Sequence, residues 1–163
     1  MSAKTITKII ASSSEACVVE ATSDDTSSSL WFKTQPLDRT FCYRAIQLQL
    51  QTDSTDQGHD DSLARGRFSW FELAIYDNDA AEQPKNRDGK PCVWSSHWNR
   101  TDPQDTDDIS RHFGYVFDRR HEIFGALKVG ARLRWCLANC AEDRVLAWKC
   151  YRRSCLCKAR RMA

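Results

Sequence analysis

The chain has 163 residues, a formal net charge of +2, 41% hydrophobic and 28% charged residues. That balance predicts one soluble domain, large enough to bury a core without covalent staples. With only 6 Gly and 4 Pro it is no collagen, and no run reaches the ~18 apolar residues a membrane-spanning helix needs.

Taken in chain order, the dominant hydrophobic period is two, the signature of half-buried strands. Residues 5–10 and 17–21 read as short strands, and the Ser, Asp and Thr of residues 23–29 read as a turn. Ile46, Leu48 and Leu50 alternate with Gln47, Gln49 and Gln51, a clear strand. Phe71, Leu73 and Ile75 alternate with Glu72 and Ala74, and Phe113, Tyr115 and Phe117 with Gly114 and Val116. Ala131, Leu133, Trp135 and Leu137 alternate with Arg132 and Arg134, which places Trp135 in the core. Residues 145–150 are a less regular strand. Between these runs, residues 53–67, 77–91 and 99–110 are rich in Asp, Asn, Gly and Pro, which favour turns. Residues 121–128 alone have helical spacing, over about two turns closed by Gly130.

About seven or eight short strands with one apolar face each predict an all-β fold. The expected form is a two-sheet antiparallel β-sandwich, jelly-roll-like, with one short helix; a closed barrel is the rival. The sandwich domain is expected over residues 1–150, with a basic, cysteine-containing tail over residues 151–163. After Asp143 no acidic residue follows, whereas Arg144, Lys149, Arg152, Arg153, Lys158, Arg160 and Arg161 do.

Three of the motifs resemble a module of uncharacterised fungal proteins. They are the strand from Tyr43 to Leu50, the turn Asp56-Gln57-Gly58, and the aromatic strand Phe68-Ser-Trp-Phe-Glu-Leu-Ala-Ile75. The run from Leu127 to Ala138 is similar to that module's closing part, and the likeness covers residues 15–150. His59 stands where the module usually has Trp, and Ala131 where Asp is common. The resemblance implies a β-sandwich of the galactose-binding or jelly-roll kind and carries no activity.

The residues themselves offer several chemistries. Trp94 and Trp98 lie in the loop-like stretch 92–100 with Asn99 and Arg100. Rings beside polar groups suit stacking on a sugar, and equally suit a protein interface. Trp70 falls opposite Phe71, Leu73 and Ile75, so it is exposed or in the other layer. The expected ligand-binding set is therefore Trp94, Trp98, Asn99, Arg100, Trp70 and the Asp56, Gln57, Gly58 turn. Its reading is a non-enzymatic, lectin-like module for a glycan. A protein-interaction module or homodimer is the first alternative, and a hydrolase or nuclease using His97 and His112 the second.

No Gly-x-Ser-x-Gly, Walker or dinucleotide motif is present, so no cofactor is expected. Asp53, Asp56, Asp60 and Asp61 suggest calcium, but the residue twelfth from Asp53 is Ala64, not the Glu of an EF-hand. Cys136, Cys140, Cys150, Cys155 and Cys157 leave zinc or disulfides open, with intervals unlike paired zinc ligands. The resulting expectation is no metal. The start, with Lys4 and Lys8 interrupting the apolar residues, has no leader pattern, so a cytoplasmic location is expected, with no membrane span. At +2 overall, nucleic acid is not the expected partner.

Overall fold

The computed structural model describes residues 5–15, 17–21, 27–55, 69–98, 110–139 and 146–160, the last stretch by its backbone pairing. In chain order the elements are β1 (Thr5–Ser13), β2 (Cys17–Ala21), β3 (Ser27–Lys33), α1 (Arg39–Arg44), β4 (Ala45–Thr55) and β5 (Ser69–Tyr76). Then come β6 (Asn86–Arg87), β7 (Lys90–Pro91), β8 (Val93–Trp98), β9 (Ser110–Phe113), β10 (Phe117–Asp118), α2 (Ile123–Ala126), β11 (Arg132–Asn139) and β12 (Leu146–Arg160). The all-β expectation agrees with this content. Among the described residues no helix is long and apolar enough to cross a membrane.

The strands form two main antiparallel sheets. The larger runs β1-β12-β4-β10, with β2 also on β12 and β9 also on β4; the smaller runs β3-β11-β5-β8. Their apolar sides meet in one core. Leu48, Leu50 and Phe117 come from the larger sheet; Phe71, Leu73, Ile75, Leu133, Trp135 and Leu137 come from the smaller. Trp135 is 1% exposed and lies parallel to Phe32, with ring centroids 5.0 Å apart and planes 7° apart. Burying such rings is the main stabilising term of a fold this size. The β6–β7 hairpin turns on Asp88 and Gly89, both at positive φ, the backbone a tight primed turn demands.

Several elements differ from expectation, each for a local reason. Two short helices form rather than one. α1 starts where the Asp38 carboxylate accepts the Phe41 N–H at 2.6 Å, a side-chain cap that replaces a missing intrahelical partner. It is too short for a helical period to show in the sequence. The expected turn over residues 23–29 includes the start of β3, whose serines carry no apolar alternation but pair with Leu137 and Ala138. The expected loop over residues 92–100 contains β8. The single alternating strand through Phe113, Tyr115 and Phe117 is two strands: Phe117 is buried, whereas Phe113 and Tyr115 are exposed. The boundary expected after residue 150 falls inside β12, whose backbone pairs with β1 and β4 through residues 151–160.

Candidate functional site on the outer face of the small sheet

Strand β8 is the edge of the smaller sheet, and one irregularity decides what each of its side chains does. Its register on β5 shifts between Phe71 and Glu72: His97 pairs with Phe71, Ser95 with Glu72, and Trp94 with Leu73. Ser96 is the extra residue, a β-bulge. Strict alternation would put Trp94, Ser96 and Trp98 on one face. The bulge reverses the phase, so Trp94 and His97 go inward while Ser95 and Trp98 go outward.

On the outer side, Trp98 pairs with Trp70 across the strands, ring centroids 5.2 Å apart and planes tilted by 53°. Trp98 remains 45% exposed. The Trp70 indole N–H donates to Glu72 Oε1 at 2.7 Å, which fixes that ring. Cys136 pairs with Glu72 from the other side. Burial, then the Glu72 charge, pushes the Cys136 thiol up to about 11, so it stays protonated and unreactive near neutrality. Leu30, which pairs with Cys136, is 48% exposed on the same face. The arrangement is an open aromatic platform with an anchored carboxylate beside it.

On the inner side, Trp94 packs against the core, donates from its indole to Glu122 Oε1 at 2.5 Å, and meets His121 edge-on at 6.0 Å. His97 stacks on Phe71 with centroids 4.6 Å apart. Its Nε2 lies 3.1 Å from the Thr52 hydroxyl of β4 and its Nδ1 3.1 Å from the Ser96 hydroxyl. Thr52 continues the inward phase of Leu48 and Leu50, so the larger sheet offers a hydroxyl where the smaller offers an imidazole. Burial, and secondarily the neighbouring His112, holds the His97 pKa down at about 4. The neutral ring has one donor and one acceptor nitrogen, which two rotatable hydroxyls can satisfy. Thr52 is 0% and Ser96 5% exposed, so this group is an interior polar bridge between sheets. The Tyr115 N–H donates to the Ser96 carbonyl at 2.8 Å, tying the sheets together at the same corner.

Thus Trp70 and Trp98 are brought together, and Trp94 is separated from both. Asn99, Arg100, Asp56, Gln57 and Gly58 lie outside the described residues. Asp53 is engaged by Arg111, whose Nε and Nη2 donate to its two oxygens at 2.9 and 3.3 Å. Among the described residues no three His, Cys, Asp or Glu side chains are grouped to hold a metal ion. The side chains of Cys140, Cys150, Cys155 and Cys157 lie outside that set.

Sequence reasoning missed a cationic cluster on the same outer face. Lys33 Nζ and Arg132 Nε approach the same Asp79 Oδ1 at 2.5 and 3.4 Å. Arg134 lies 3.8 Å over the Tyr76 ring and donates to the Asp79 carbonyl at 2.8 Å. The signal was partly visible: Arg132 and Arg134 sit at the polar positions of β11. Lys33 and Asp79, however, arrive from distant chain positions. No protein-family model, curated protein or solved structure matches the chain.

Proposed function

We propose that this chain is a non-enzymatic binding module that recognises a glycan on the outer face of its smaller sheet. One observation carries the reading: Trp98 is half-exposed on an open strand edge, held against an anchored Trp70. A fixed ring at the surface stacks on the apolar side of a sugar, and nearby polar groups select its hydroxyls. Glu72 supplies an acceptor, and Ser95, opposite it, a hydroxyl. Asn99 and Arg100 follow Trp98 directly in the chain and belong to the same proposed contact.

A glycan array with the intact chain tests this. Binding to at least one neutral or acidic glycan is expected, lost by about tenfold or more in Trp98→Ala, the worth of one stacked ring. An empty array from folded protein rejects the proposal. The exposure of Leu30 on β3, at the opposite edge of the same outer face from Trp98, favours a second reading, a protein interface or homodimer. Light scattering after size exclusion separates the two, since a monomer that binds glycan excludes the homodimer.

A further inference from the structure

The outer face extends beyond the tryptophans toward the cationic cluster. Trp70 pairs with Ala138 of β11, and Arg134 lies four residues back along that strand, paired with Lys33. At ~3.3 Å per residue along the strand and ~4.8 Å per strand across the sheet, Trp98 on β8 and Arg134 on β11 are about 16 Å apart, further than one sugar ring reaches. At the far end Lys33 and Arg132 meet on the Asp79 carboxylate, and Arg134 beside them donates to the Asp79 main-chain carbonyl. Arg134 Nε has no hydrogen-bond partner. The hydrogen bond from Lys33 is the main cause holding the Asp79 carboxyl below its ordinary range. Lys33 and Asp79 have side chains 42% and 51% exposed, and Asp79 sits on an exposed turn, so it can swing aside.

Resting on the glycan reading, we infer that the ligand is an acidic oligosaccharide. One sugar ring lies on Trp98, and the carboxylate of a uronic acid further along the oligosaccharide sits on Lys33, Arg132 and Arg134. Lys33 and Arg132 are already arranged on a carboxylate, with the Arg134 charge next to them, so a uronate fits the place the Asp79 side chain now fills. Arg presents a planar fork matched to that group. Glu72, between the two ends, repels an acid group from the middle position, which makes the recognition depend on where along the oligosaccharide the charge falls.

Calorimetric titration of the full chain tests this with two probes, oligomannuronate and a neutral mannose oligomer of the same length and linkage. Oligomannuronate is expected to bind about tenfold tighter at low salt, and the preference shrinks as ionic strength rises. Lys33→Gln combined with Arg134→Gln brings oligomannuronate down to the affinity of the neutral oligomer. Asp79→Asn, which removes the internal competitor, raises oligomannuronate affinity. Equal affinities for the two probes in the parent chain overturn the inference and leave stacking intact. Binding of inorganic polyphosphate as tight as oligomannuronate, and unchanged in Trp98→Ala, overturns it as well, because the cations then take anions without a sugar. Failure of both oligomers to bind overturns the inference for this ligand, and the glycan array then decides the glycan reading separately.

Discussion

Trp94 and Trp98 stand on the same six-residue strand, yet they have opposite fates. Trp94 is turned into the molecule, its indole on Glu122 and its edge near His121. Trp98 is turned out, its ring on Trp70 and nearly half of its surface in water. Composition does not distinguish them, since both sit among serines and a histidine. The extra Ser96 does, by changing the phase of a two-residue repeat. A residue that contributes little surface of its own thereby decides which tryptophan packs into the fold and which is left facing water.

Four changes break or sharpen that contrast. The largest effect is expected at Gly114, where a Cβ would fall 2.1 Å from Ser96 Oγ and 2.7 Å from His97 Nδ1. Gly114→Ala therefore has to move the Ser96 hydroxyl and the His97 ring and costs up to ~3 kcal/mol, read as a lower urea midpoint; an unchanged midpoint shows that these side chains are not pinned there.

Next comes pH. The His97 pKa lies at about 4 in the fold against an ordinary 6.5, so between those values the unfolded chain binds more protons and stability rises with pH. The contribution is complete above pH 6.5 and is lost as pH falls toward 4, by about 3 kcal/mol in all. Urea unfolding across that range follows it, and His97→Gln flattens the dependence. A slope that survives His97→Gln assigns it to other groups.

Trp94→Ala removes a ring packed against the core and is expected to cost about 2 kcal/mol. Trp98→Ala removes a ring that water already reaches and is expected to cost below ~1 kcal/mol in stability while abolishing the proposed binding. Thermal melts of the pair settle the contrast: equal losses would mean that both rings serve the core.

What could be read from the residues was what repeats. Leu48, Leu50, Leu73, Ile75, Leu133 and Trp135 are buried at the positions their alternation indicates, because one face of a strand must meet the core. What could not be read was what breaks the repeat. β8 was concealed by its bulge, β3 by a run of serines, and α1 by a length under two turns set by a cap on Asp38. The aromatic platform was half legible: Trp70 was predicted opposite the core face, but its partner was Trp98 without Trp94. The cationic cluster needs pairings of Lys33 with Arg134 and of Arg134 with Ala74, and such register is a property of the assembled sheet.

Strand β12 has a consequence for how the molecule is made. Its backbone is shared among β1, β2 and β4, so β1 and β2 have no strand partner among the described residues until β12 has been made. During that interval β1, with Ile6 and Ile9 along it, offers an open hydrogen-bonding edge to any neighbouring nascent chain. Pairing of β1 and β2 into the larger sheet thus waits until synthesis has passed β12.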